Sequence, residues 1–179
     1  MKALILYWSA TGNTKKVAQT IEKALLDSGI TPVVRNIPEA EADELYDYDL
    51  VFLGAPVYTF MPPEPVLKYV GAKMKVHRNR GDIKLCAPAL PGKNAVVFCT
   101  YSGPHTGIKE AIPAAEYLGQ FLEHVGFNVA DIYYTVGEFH GRNDLSTGGK
   151  LGNIIGRPNG EDLAVIESKV KELAGNLCN

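Results

Sequence analysis

The chain has 179 residues, of which 46% are hydrophobic and 21% are charged. This composition is ordinary for a globular protein, and the length suits one domain that buries a core of its own. The formal net charge of −2 excludes a global field that would attract nucleic acid or an anionic membrane. We therefore predict one domain spanning residues 1–179 that binds no nucleic acid.

The cysteines and the lengths of the apolar runs argue against further classes of protein. Cys86, Cys99 and Cys178 are odd in number and show no CxxC spacing, which argues against a disulfide framework and against a metal site. The apolar residues 1–7 are too few for a signal peptide, and no window approaches 18 apolar residues. We expect no membrane insertion and a cytoplasmic location.

Strand-length runs recur along the chain and predict five strands. In chain order they are residues 2–7, 31–36, 50–54, 95–100 and 128–136. The first, third and fourth are almost continuously apolar, as is typical of parallel strands covered on both faces. The second is more polar and contains a proline, which favours an edge strand.

Helical patterns separate these strands. An apolar face with 3.6-residue period predicts a helix over residues 14–28, a weaker helix over 64–73, one ending before Gly126, and a last helix that starts after Gly160. Residues 76–93 and 137–159 show no regular pattern and are expected to be irregular. Alternating strands and helices predict a doubly wound α/β fold with a parallel sheet and right-handed crossovers.

A loop of small and hydroxyl residues follows the first strand directly, and it consists of Ser9, Ala10, Thr11, Gly12, Asn13 and Thr14. Converging amides at a helix N-terminus and small side chains are what phosphate binding requires. Neither GxxxxGK[ST] nor GxGxxG is present, which excludes a P-loop and a dinucleotide fingerprint. The alternative interpretation is that these residues only cap the first helix.

The stretch Tyr7-Trp8-Ser9-Ala10-Thr11-Gly12-Asn13-Thr14 closely resembles the FMN-phosphate loop of the flavodoxins. The resemblance implies a flavodoxin-like domain with three layers, a five-stranded parallel sheet in the order 2-1-3-4-5, and FMN as the cofactor. In such a sheet the ligand lies at the carboxyl ends of the strands near the switch point. The loops after strands three and four should therefore flank the flavin ring.

Both of these loops are rich in aromatic residues and turns, which suits a flat amphipathic ring. By the resemblance, the flavin contacts are Pro56, Val57, Tyr58, Thr59 and Phe60 after strand three, and Thr100, Tyr101, Ser102, Gly103 and His105 after strand four. Tyr101 and either Tyr58 or Phe60 are the stacking candidates. No catalytic residue and no metal ligand is predicted.

The sequence leaves two classes of function open for the flavin. As a flavodoxin-like redox protein, the chain would pass electrons between partner proteins; as an enzyme, it would use NAD(P)H to reduce a quinone or FMN. A non-redox binding module is the third alternative. The chain is less acidic than typical flavodoxins, and it has no glycine between Gly54 and Gly71 to allow the peptide flip that stabilises a one-electron-reduced ring in many members.

The irregular extension of residues 137–159 is the least defined part of the sequence. Such a segment could cover the flavin, contact a second subunit, or bind a nicotinamide nucleotide through Arg142 or Arg157. The donor, the acceptor and the oligomeric state are left open, as monomer or homo-oligomer.

Overall fold

Five parallel strands form the middle layer of the computed structural model, which describes residues 1–178. The strands are β1 (Ala3–Tyr7), β2 (Pro32–Asn36), β3 (Leu50–Pro56), β4 (Asn94–Tyr101) and β5 (Asn128–Val136). Their order in the sheet is β2-β1-β3-β4-β5, and each neighbouring pair is parallel. The predicted fold class and strand order are confirmed.

Helices cover both faces of this sheet. They are α1 (Asn13–Asp27), α2 (Glu64–Arg80), α3 (Ile112–His124), the short α4 (Asn143–Thr147) and α5 (Gly160–Cys178). Successive side chains of a strand point to opposite faces, so Leu4 and Leu6 join one apolar cluster with α2 and α3. Ala3 and Ile5 join the other cluster, with α1 and α5.

The second helix is longer than its sequence pattern indicated. Residues 76–80 were expected to be irregular, but α2 continues to Arg80 and ends at Gly81, which has a φ of 74°. Basic side chains stabilise the last turn of a helix because they interact favourably with its carbonyl end, and His77, Arg78 and Arg80 lie in that turn. The basic stretch is therefore helical, while residues 81–93 contain no helix or strand. The extension of residues 137–159 was also expected to be irregular, but it contains α4.

Two further findings hold for residues 1–178. No helix among them combines the length and the apolar character needed to cross a bilayer. Their histidine, cysteine and acidic side chains form no group of three or more that could hold a metal ion. Cys86 is exposed, whereas Cys99 is buried in β4, and burial raises the pKa of its thiol to about 12.

Candidate functional site

A cavity of about 580 Å³ opens at the edge of the sheet where the parallel strands end. The loops after β1, β3 and β4 form three of its walls, because β1 lies directly beside β3 and β3 beside β4. The lining residues are Ser9, Ala10, Thr11, Asn13, Thr14, Pro56, Val57, Tyr58, Thr59, Phe60, Thr100, Tyr101, Ser102, Gly103, Pro104, His105, Glu110, Gly137, Glu138, Phe139, His140 and Leu145. The cavity therefore lies at the switch point of the sheet.

The loop after β1 is a tight turn that brings the first residues of α1 to the cavity wall. Gly12 adopts a φ of 100°, and its amide donates to Ser9 Oγ at 3.1 Å. Helix α1 begins at the next residue, Asn13, and the first amides of a helix have no intrahelical acceptor. Such amides, together with the positive end of the helix dipole, make an anion site.

Thr14 connects the first loop to the end of β4. Its Oγ1 lies 2.8 Å from Thr100 Oγ1, and both residues are buried. One hydroxyl donates to the other, and the accepting hydroxyl keeps its own O–H as a further donor. Thr14 lines the cavity near the start of α1, where the helix amides have no intrahelical acceptor.

Asn13 is also engaged by the protein through its side chain. Its Nδ2 donates to Glu138 O at 3.0 Å, and its Oδ1 lies 3.2 Å from His140 Nε2. Both partners belong to the segment that follows β5. Asn13 lines the cavity, yet its amide side chain is directed at that segment.

The loop after β3 is a tight turn with unusual backbone angles. Tyr58 and Met61 exchange two backbone hydrogen bonds of 2.9 and 3.0 Å. Between them, Thr59 and Phe60 have φ angles of 48° and 69°, a left-handed conformation that costs about 1 kcal/mol or more for each non-glycine residue. The loop therefore adopts left-handed angles at two residues without a glycine.

This turn exposes two aromatic side chains next to the cavity. Tyr58 is 47% exposed and Phe60 is 52% exposed. The Tyr58 ring contacts the edge of Trp8, with ring centroids 6.1 Å apart and planes at 90°. Exposed rings at the mouth of a cavity provide apolar faces that a flat ligand can stack on.

The loop after β4 forms the opposite wall and depends on close backbone contacts. Tyr101 is almost fully buried, and burial raises the pKa of its hydroxyl. Gly103 has a φ of 49°, and a Cβ at this position would lie 2.6 Å from Gly107 O. The next turn is fixed by Glu110, whose Oε1 accepts from the amides of His105 and Thr106 at 2.8 and 2.5 Å.

All but one of the residues predicted from the sequence line this cavity. The exception is Gly12, which turns the chain and is not part of the wall. The sequence reasoning missed Pro104, Glu110, Gly137, Glu138, Phe139, His140 and Leu145. Most of the missed residues belong to the extension after β5, for which covering the flavin was one of several predicted roles.

The residues present fit FMN. One end of the cavity offers uncharged amides and small side chains for a phosphate, and the other end offers aromatic and backbone groups for a flat ring. The volume of about 580 Å³ is within the usual range for small-molecule sites. The groups at the two ends thus match the two ends of that cofactor.

Comparison with known proteins agrees with this description. A family model described as a flavodoxin domain matches residues 4–124. A flavodoxin of Clostridium beijerinckii is 42% identical over 50 residues, which are 28% of this chain and 36% of that protein. An NAD(P)H dehydrogenase (quinone) of Archaeoglobus fulgidus is 25% identical over 208 aligned positions, which cover 99% of each chain.

Solved structures share the whole fold. The structure of a flavodoxin from the domain Archaea superposes with a TM-score of 0.68 at 16% identity and covers 100% of both chains. Oxidised flavodoxin 1 of Bacillus cereus superposes with a TM-score of 0.65 at 19% identity, over 99% of this chain and 97% of that one. At such identities the likeness concerns the fold alone.

Proposed function

Because this chain belongs to the flavodoxin domain family, we propose that it carries electrons on an FMN held between the loops that follow β1, β3 and β4. FMN as the cofactor and electron transfer as the function, both predicted from the sequence, are confirmed by the family match. The residues that hold the flavin and the partners that exchange electrons with it are proposals.

The phosphate of FMN would be bound by the loop of residues 9–14. The observation that carries the proposal is the start of α1 at Asn13, directly behind the left-handed Gly12, with the first helix amides at the cavity. Among residues 1–178, no arginine or lysine lines the cavity. Dipoles and hydroxyls alone would therefore hold the dianion.

The flavin ring would lie between the two aromatic walls. Tyr58 or Phe60 on one side and Tyr101 on the other would stack on it or bury its edge, and the backbone of the β4 loop would bind its polar atoms. FMN supplies the electron-accepting and electron-donating chemistry when bound. The walls of the cavity would orient the ring and exclude water from it.

Reconstitution with flavin tests the proposal directly. Titration of the colourless apoprotein with FMN, followed by flavin fluorescence, should give saturable one-to-one binding, and riboflavin should bind at least tenfold more weakly because it lacks the phosphate. A tenfold ratio corresponds to about 1.4 kcal/mol. A protein that stays colourless after FMN addition would support the non-redox alternative instead.

Four exposed lysines near the cavity are relevant to the charge of the redox partner. Lys15, Lys16, Lys109 and Lys150 are exposed, and the structure of residues 1–178 shows no ion pair for them. Lys15 and Lys16 lie in the first turn of α1, Lys109 lies beside the β4 loop, and the Lys150 amide donates to Pro104 O at 2.7 Å. These four lysines lie on elements next to the cavity, whose own lining includes Glu110 and Glu138. We propose that the exposed lysines steer a negatively charged partner.

An NAD(P)H-dependent quinone reductase is the second candidate, favoured by the full-length similarity to the Archaeoglobus fulgidus enzyme. The arginines considered for nucleotide binding already have carboxylate partners. Arg142 Nη2 lies 2.7 Å from Asp144 Oδ2, and Arg157 Nε donates to Asp162 Oδ2 at 2.9 Å. Rapid oxidation of NADH or NADPH by the FMN-loaded protein would favour the enzyme, whereas reduction only by a flavoprotein reductase would favour the carrier.

Charge reversal at the mouth tests the electrostatic part of the proposal. In the double variant Lys109→Glu/Lys150→Glu, oxidation of the reduced protein by the anion ferricyanide should slow about tenfold at low salt, and oxidation by the cation hexaammineruthenium(III) should accelerate, as expected for steering by local charge. Added salt should shrink both effects. Stopped-flow absorbance measures both rates.

The double variant Lys75→Glu/Lys84→Glu is the matched control. It makes the same change in net charge on exposed residues of α2 and the following loop, outside the cavity lining. If both double variants change the two rates equally, the overall charge rather than the mouth governs transfer.

A further inference from the structure

The segment between β5 and α5, residues 137–157, is here named the strap. It is attached to the β4 loop at two points. Gly137 N donates to Tyr101 O at 2.8 Å, and Ser102 Oγ donates to Gly137 O at 2.7 Å. Further along, the strap returns to the same loop through the bond from Lys150 N to Pro104 O. One end of the strap is thus fixed to the wall that is proposed to hold the flavin ring.

The strap is also attached to the phosphate loop, through Asn13 alone among the residues of that loop. The Asn13 side chain donates to Glu138 O at 3.0 Å and contacts His140 Nε2 at 3.2 Å, and the residue is only 8% exposed. The fit leaves little space, because a Cβ at Gly137 would lie 2.7 Å from Asn13 Nδ2. The oxygen and one N–H of this amide therefore contact the strap.

Hydrogen bonds within the strap connect the residues next to Asn13 with the rest of the segment. Ser146 is buried, and its Oγ accepts from Phe139 N at 3.0 Å. Ile154 N donates to Ser146 O at 2.8 Å, and Gly156 N donates to Glu138 Oε2 at 2.8 Å. Internal bonds thus link the residues beside Asn13 to the far end of the strap.

We propose that the side chain of Asn13 is a positioning group and not a phosphate ligand: with His140 and Glu138 it locks the strap across the cofactor cavity and so slows the release of FMN. The inference rests on the proposed function. Phe139 and His140 line the same cavity as the phosphate loop, so the closed strap blocks one route out of it. Preformed walls reduce the ordering cost of binding and act mainly on the dissociation rate.

A double-mutant cycle on the dissociation rate of FMN tests the lock. Asn13→Ala and His140→Ala should each accelerate FMN release about tenfold, which is within the range expected for losing a hydrogen bond inside a protein. The double variant should release FMN no faster than the single variants, because both changes open the same contact. His140→Gln keeps an N–H donor and should lie closer to the unaltered protein.

Backbone amide exchange provides a readout without flavin. In the apoproteins, Asn13→Ala and His140→Ala should both accelerate exchange in residues 137–149, and a role for Asn13 confined to the phosphate would leave that exchange unchanged. Asn128→Ala and His124→Ala are matched controls, since both residues are exposed and neither lines the cavity. The controls should match the unaltered protein in release and in exchange.

The possible outcomes separate this inference from the proposed function. If the unaltered protein binds no FMN, the proposed function itself is wrong. Two results would overturn the lock in a protein that binds FMN. In the first, the double variant accelerates FMN release by the product of the two single effects. In the second, amide exchange in the strap is unchanged, and the Asn13 side chain then acts on the phosphate directly. Equal acceleration in the single and double variants, with faster strap exchange, supports the lock.

Discussion

Gly54→Ala is expected to destabilise the fold by about 3 kcal/mol, the upper end of what overpacking a core usually costs. Gly54 lies in the middle of the sheet, paired with Tyr7 of β1 and Phe98 of β4. A methyl group at this position would overlap the Phe98 ring, and Phe98 is fully buried. Because the sheet is covered on both faces, the ring has no free space to move into.

Chemical denaturation of the apoprotein measures this effect, since a lower midpoint at constant slope reports a change in stability. Gly71→Ala is the matched control, because Gly71 lies in α2 with no heavy atom within 4 Å of the new Cβ. It should be stabilising by up to about 1 kcal/mol, the difference in helix propensity. Replacing the ring by the smaller side chain in Phe98→Leu should restore part of the stability that Gly54→Ala loses. If the double variant is no more stable than Gly54→Ala alone, overlap with the ring is not the cause of the loss.

Thr11→Asp should weaken FMN binding at least 100-fold, or about 2.7 kcal/mol. Thr11 lines the cavity in the loop proposed to hold the phosphate. A carboxylate there would face the dianionic phosphate, and two like charges 4 Å apart repel by about 4 kcal/mol in a partly solvated site. Thr11→Asn introduces a side chain of the same shape as Asp without its charge, and it should weaken FMN binding far less.

The ratio of FMN to riboflavin affinity is the decisive measurement for Thr11→Asp. Riboflavin has no phosphate, so its affinity should change only a few-fold in either variant. If Thr11→Asp weakens FMN and riboflavin equally, the phosphate does not lie at this loop, and the proposed orientation of the cofactor is wrong.

Much of the fold could be predicted from local patterns. Continuous apolar runs identified β1, β3 and β4, because strands covered on both faces need apolar side chains on both. The end of α2 could not be predicted in this way. Its last turns carry no regular apolar face, and the buried His77 is held there by contacts with Asp82 and Tyr46 that no local pattern encodes. Arg78, Arg80 and the left-handed Gly81 favour the end of the helix.

The candidate site was predicted less completely, for a physical reason. A phosphate loop is a contiguous stretch, so residues 9–14 could be recognised from their order alone. The sequence did not show which of those groups stay free for a ligand. Thr14 is bonded to Thr100, and Asn13 is bonded to Glu138 and His140, which are long-range contacts that no local pattern encodes.

The position of the strap in the sequence fixes when the cofactor cavity can be completed during biosynthesis. Asn13 and Glu138 are bonded but lie 125 residues apart. At the usual pace of translation, roughly 6 to 25 s pass between the appearance of one and that of the other. A nascent chain that has not reached Glu138 has its phosphate loop but not the strap, so under the proposed lock its cavity would not yet retain a flavin.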